Sequence, residues 1–139
     1  TLVKNTDYTV SYAKGRKYVG KYAVKITFKG KYSGTKTLYF TIKPKATSIS
    51  SLKAGSKKFT VKWKKQATQT TGYQVQVATN KKFKKNKKTV TIKKQKTTKT
   101  TVKKLKAKKK YYVRIRAYKQ SKGKKIYGAW TKTKTIKVK

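Results

Sequence analysis

Apolar and polar residues alternate in short runs along most of this chain. Tyr8, Val10 and Tyr12 alternate with Thr9 and Ser11. Tyr22, Val24, Ile26 and Phe28 alternate with Ala23, Lys25 and Thr27. Leu38, Phe40 and Ile42 alternate with Tyr39 and Thr41. A period of two with one apolar face predicts half-buried strands. Gly15, Gly20, Gly30 and Gly34 fall at or between the ends of these runs, where turns need them. Pro44 is the only proline. It cannot donate to a central ladder, so it predicts a boundary between residues 1–43 and 44–139.

Beyond the boundary the pattern predicts seven short strands. One opens near residues 46–52. Phe59, Val61 and Trp63 mark the next, and Tyr73, Val75 and Val77 the third. Val90 with Ile92, and Val102 with Leu105, mark two more. Tyr111, Val113, Ile115 and Ala117 alternate with Tyr112, Arg114, Arg116 and Tyr118, and Ile136 and Val138 close the chain. Short strands separated by turn signals predict an all-β sandwich. Three strands alone bury too little surface for an independent core, so residues 1–43 read as part of a domain.

Composition changes the picture in one respect. Of 139 residues, 43 are Lys or Arg and one, Asp7, is acidic, for a formal net charge of +42. Such a balance suggests disorder. Against it stand 11 Tyr, 4 Phe and 2 Trp, with abundant Thr and Val, which are strand formers. The expectation is therefore a folded β protein coated with lysine. His, Cys and Met are missing. A two-carboxylate mechanism, a His-based triad and zinc or calcium ligation all lack their residues. A Ser–Lys dyad has no nucleophile-elbow motif to hold it. The expectation is no enzyme, no cofactor and no metal. No apolar run approaches the roughly 20 residues of a membrane span. No signal peptide is visible, so any export signal is expected outside this sequence.

The candidate binding residues lie on the strand that opens at Tyr111. Tyr112, Arg114, Arg116 and Tyr118 share the parity opposite to the core positions and are expected to face solvent together. Two of the three arginines in the chain are among them, the third being Arg16. Arg holds carboxylate or phosphate in a fork and stacks on aromatic rings, as Lys does less well. The set fits either cross-strand packing or a ligand-binding face. Lysines cluster at 81–88, 103–110 and 122–125, each reading as solvated loop. Within them Lys84, Lys85, Lys109 and Lys110 are candidates for bulk charge. Trp63 reads as core, and Asp7 as a turn residue at a strand start.

Residues 46–139 resemble the fibronectin type III domain. The resemblance rests on Trp63 in the second strand, Tyr73 opening the third, and the spacing Leu105-x-Ala107-x-Lys109-x-Tyr111-x-Val113-x-Ile115-x-Ala117. It also rests on Tyr127-Gly128-Ala129-Trp130 before the last strand. Ala107 stands where the family carries proline. The resemblance implies structural roles for Trp63, Tyr73, Leu105 and Tyr111. Tyr111 would close a corner, with its hydroxyl bonded to nearby backbone. Residues 2–12, Val19-Gly20 and residues 30–35 resemble the second half of an Ig-like repeat of Gram-positive surface proteins. That resemblance implies further strands before Thr1.

Together these features predict a spacer that adheres electrostatically to anionic polymer, extracellular or on the bacterial surface. Uniform positive charge repels itself and points to a polyanionic neighbourhood. The candidate partners are teichoic acid, sulfated or sialylated glycan and non-specifically bound nucleic acid. Two alternatives remain open. One is a released fragment acting as ligand for a host receptor. The other is self-association through an unpaired strand edge.

Overall fold

The computed structural model describes residues 1–14 and 17–139, so Gly15 and Arg16 lie outside the described residues. Eleven strands are present among them: β1 (Tyr8–Tyr12), β2 (Gly20–Phe28), β3 (Thr35–Ile42), β4 (Ile49–Gly55), β5 (Lys58–Trp63), β6 (Gly72–Ala78), β7 (Lys88–Ile92), β8 (Lys99–Val102), β9 (Lys110–Ser121), β10 (Lys124–Tyr127) and β11 (Lys134–Lys137). The chain divides into two units, Thr1–Ile42 and Lys43–Lys139.

The first unit is an antiparallel meander, β1-β2-β3. Tyr8 pairs with Phe28 and Val10 with Ile26, while Tyr22 pairs with Phe40 and Val24 with Leu38. Directly paired residues share a face, so the alternating apolar positions gather on one side of this sheet. Tyr22 and Phe40 meet there with ring centroids 5.7 Å apart. That side is poorly covered: Tyr12 is 54% exposed and Leu38 46%. Among the described residues of this unit only Val19 is buried. The strands are thus where alternation placed them, but the half-burial it implied fails at Tyr12 and Leu38. Asp7 accepts the Val3 N–H through Oδ2 at 2.7 Å and closes the turn that enters β1.

The second unit is a two-sheet sandwich. One sheet has the order β4-β5-β8; the other runs β10-β9-β6-β7, with β11 also on β9. Inward positions form one core of Ile49, Phe59, Val61, Trp63 and Val102 from the first sheet and Tyr73, Val75, Val77, Val113, Ile115 and Ala117 from the second. Leu105 and Tyr111 are buried in the same core. Close approach fixes two glycines. A Cβ on Gly72 would sit 2.0 Å from the Ile92 carbonyl oxygen, and one on Gly128 2.6 Å from that of Pro44.

Two expectations need correction. Lys122–Lys125 is not a solvated loop: Lys122 and Gly123 are a two-residue turn, with φ of 49° and 75°, and Lys124 opens β10, pairing with Ser121. Two positive φ values make the twist that joins adjacent antiparallel strands. Leu105, expected on a strand with Val102, lies beyond the end of β8 and bonds its N–H to the Lys57 carbonyl at 3.0 Å. The final strand is also divided. β10 and β11 both pair with β9, and Thr131 bridges them by donating its N–H to the Ile115 carbonyl at 2.8 Å.

Candidate functional site

Among the described residues, the outer face of β9 gathers arginines, amides and aromatic rings in one arrangement. Register sets it up. Gln74 lies directly opposite Arg116 and Gln76 opposite Arg114. On the far side of β6, Thr91 faces Gln74 and Thr89 faces Gln76. Gln74 Oε1 accepts from Arg116 Nε at 2.9 Å and from Nη2 at 2.6 Å. Gln76 Oε1 accepts from Arg114 Nε at 2.8 Å and also from its Nη2. Each amide oxygen therefore holds one edge of a guanidinium.

Aromatic rings hold the faces. Arg114 Cζ lies 4.1 Å from the Phe83 ring centroid and 4.3 Å from that of Trp130. Arg116 Cζ lies 4.2 Å from Trp130 and 3.6 Å from Tyr127. The contacts run in one order: Phe83, Arg114, Trp130, Arg116, Tyr127. A cation over an aromatic face is attracted by the ring quadrupole, more strongly where water is displaced. This stack ties β9 to β6, to the loop after β6 through Phe83, and to the chain after β10 through Trp130.

The electrostatics are unusual. Burial lowers the pKa of both guanidiniums. For Arg116 desolvation is the largest cause, Tyr127 opposes it and Arg114 adds to it. Both remain cations at physiological pH, because guanidinium ionises far above it. No side-chain carboxylate exists in residues 43–139 to neutralise them. Each guanidinium has five N–H donors, and Gln takes two. Both arginines are partly exposed, and three donors on each are not given to Gln.

The four residues expected to face solvent together do not all do so. Tyr112, Arg114 and Arg116 are half-buried, but Tyr118 is 2% exposed. It is covered because β9 continues to Ser121 and folds back as β10. That brings Tyr127 to 6.2 Å from its ring and Lys125 Nζ to 5.2 Å. Tyr112 carries Lys110 Nζ at 5.4 Å from its ring. Lys84, Lys85, Lys109 and Lys110 are exposed. The backbone N–H groups of Lys84 and Lys85 both donate to Asn80 Oδ1, at 2.9 Å each, which turns that loop. Phe83 within it is buried at φ 55°, so this lysine run is anchored by the ring beneath Arg114.

The structural residues pack inward. Trp63 meets Tyr73 edge-on at 5.4 Å, and its indole N–H is buried without a protein acceptor. The Tyr73 hydroxyl accepts the Gln66 N–H at 2.9 Å and donates to the Gln95 carbonyl at 2.8 Å. The Tyr111 hydroxyl accepts the Lys106 N–H at 2.9 Å, which closes the corner before β9. Sequence reading missed the roles of Gln74, Gln76, Phe83 and Trp130. One signal was available: two glutamines two residues apart match two arginines two residues apart.

A second surface is plainer. The outer face of β4-β5-β8 carries Lys53, Lys58, Lys62 and Lys99, all exposed. Lys62 and Lys99 are directly opposite each other. Beside them the Thr60 and Thr101 hydroxyls bond at 2.9 Å.

Two antiparallel sheets packed over one apolar core, with both segments of the last strand on β9, define an immunoglobulin-like sandwich. Residues 43–128 match the sequence model of the fibronectin type III domain, and the chain belongs to that family. Among solved structures it is similar to the FN1-FN3 domains of chicken CNTN1, at 21% identity and a TM-score of 0.57. That match covers 87% of this chain and 43% of the other, so this chain spans less than half its length. A myokine structure matches at 15% identity and a TM-score of 0.49, covering 66% of this chain and 90% of that one. A computationally redesigned β-sandwich protein matches at 18% identity and a TM-score of 0.48, covering 65% and 82%. At these identities the likeness is one of fold. No curated protein matches the chain.

Proposed function

We propose that this chain is a non-catalytic module of a secreted or cell-surface protein, acting as a spacer that adheres to anionic polymers. The reading is carried by Lys62 and Lys99, exposed and directly opposite each other in a unit with no side-chain carboxylate. Like charges facing across a sheet are destabilising, and a polyanion laid on them removes that penalty. The family supplies structural and adhesive modules, which fits a spacer. The resemblance of residues 1–43 to an Ig-like repeat of Gram-positive surface proteins makes cell-wall teichoic acid the first candidate polymer. Sulfated or sialylated glycans and extracellular nucleic acid are the others. Exposed lysines such as Lys84, Lys85, Lys109 and Lys110 supply bulk charge, and the half-buried face of Tyr112, Arg114 and Arg116 supplies shape. Binding is expected to weaken linearly in log affinity against log salt, as counterion release requires. Titration with teichoic acid and with DNA between low and high salt measures this. An affinity independent of salt overturns the proposal.

A second reading has its own observation. The apolar side of β1-β2-β3 leaves Tyr12 and Leu38 exposed, and β1 and β3 are the edge strands of that sheet. Strand edges and uncovered faces pair with other chains, so this unit is a candidate for self-association. Sedimentation at high salt, where charge repulsion is screened, reads the oligomeric state. A monomer under those conditions rejects self-association.

A further inference from the structure

The arginine stack has a property that packing alone does not require. Two guanidiniums are fixed in position by neutral amide oxygens, with no anion beside either. Had Gln74 and Gln76 been carboxylates, each arginine would be equally well oriented and also neutralised. The amides orient the forks and leave the charge unspent. Preorganised donors lose little freedom when a ligand arrives, and a guanidinium fork matches two oxygens of one phosphate.

Spacing narrows the ligand. Arg114 and Arg116 are two residues apart on one strand, so their stems are about 7 Å apart. A linear polymer with six backbone bonds per repeat extends by about the same distance, as two peptide residues do. Phosphodiester chains of glycerol and of nucleotides both have six. The rings separate these two. Single-stranded nucleic acid is held by bases stacked on aromatic faces. Here Tyr127, Trp130 and Phe83 give faces to the arginines, and Phe83 is buried.

We infer that Arg114 and Arg116, oriented by Gln74 and Gln76, form a paired site for successive phosphates of a base-free phosphodiester chain such as a polyol phosphate. The inference rests on the polyanion reading above and assigns it a place. Each phosphate accepts N–H donors that its guanidinium does not give to Gln. Exposed lysines elsewhere add non-specific attraction.

The test uses the full chain, synthetic glycerol-phosphate oligomer as probe, and two variants of equal charge. Gln74→Glu/Gln76→Glu keeps the stack and neutralises both forks internally. Lys25→Gln/Lys36→Gln removes the same charge from β2 and β3. The first is expected to bind the oligomer about tenfold more weakly than the parent. The second should stay within about twofold, and both should keep the parent's near-ultraviolet spectrum and melt no lower than the parent. Equal weakening in the two variants overturns the paired site and leaves bulk charge as the mechanism. Arg114→Lys/Arg116→Lys keeps net charge and supplies an independent check: unimpaired binding also overturns the site. If the parent binds no polyanion even at low salt, the polyanion reading itself fails. Oligothymidylate of matched charge is the last arm. A similar loss of its binding in Gln74→Glu/Gln76→Glu contradicts the base-free assignment.

Discussion

Tyr118 shows how one position on a strand is decided by what folds over it. Its parity is that of Arg114 and Arg116, yet it is buried, with Tyr127 and Lys125 against its ring. Burial raises its pKa, first by desolvation and then through Tyr127. A raised pKa means that the fold favours the neutral phenol. The stabilising contribution is complete below the unfolded value of about 10 and is lost as pH rises through the folded value. Carbon-13 NMR of the tyrosine ζ carbons should show Tyr118 titrating later than an ordinary tyrosine, and Tyr118→Phe should remove that resonance. A midpoint at or below the ordinary value refutes the burial argument. Tyr111 and Trp63 contrast with this case. Both are at inward positions by parity, and both are buried in the core. Inward parity on a central strand is decided by the sheet itself, whereas outward parity waits on neighbours.

The β9–β10 hairpin shows the same limit for an element. Lys122-Gly123 carries the two positive φ values of a tight hairpin, but the residue pair that announces such a turn is Asn-Gly. In a chain this rich in lysine, Lys122 reads as one more charge in a loop. A lysine in the left-handed region is strained, while asparagine tolerates it. Lys122→Asn is expected to stabilise the fold by about 0.5–1 kcal/mol, read as a shift in urea midpoint with an unchanged slope. No shift, or destabilisation, means that the turn is not strained. Elsewhere alternation located the elements well. β1 has the bounds of its apolar run, Tyr8–Tyr12, and β5 ends at Trp63 as its pattern did. β9 was legible through Ala117 because its inward residues are all apolar. Its continuation to Ser121 has polar residues on both faces and rests on pairing with β10.

For the whole molecule, the governing term is charge of one sign. At +42, self-repulsion works against the compact state. Added salt screens it, with a Debye length of about 10 Å at 0.1 M. The melting temperature is therefore expected to rise with sodium chloride, by about 5 °C for each kcal/mol of repulsion screened. Calorimetry from low to moderate salt checks the sign. A melting temperature that falls with salt means that attractive pairs, not repulsion, dominate the surface. The same salt weakens polymer binding, so stability and adhesion should respond in opposite directions.

Fold class, the positions of most strands and the lack of the usual catalytic residues can be read from the sequence, because alternation and composition are properties of the chain alone. The sequence also determined the uniform sign of the surface. It brought Arg114 and Arg116 to notice, but it left their surroundings open between packing and ligand binding. Those surroundings come from how the strands and loops pack. Register put Gln74 and Gln76 opposite the arginines, and loop closure brought Phe83, Tyr127 and Trp130 onto their faces. The Gln–Arg contacts join residues 38 and 42 positions apart, and the ring contacts reach across separate loops. No local pattern encodes such pairings, because they depend on which strands become neighbours.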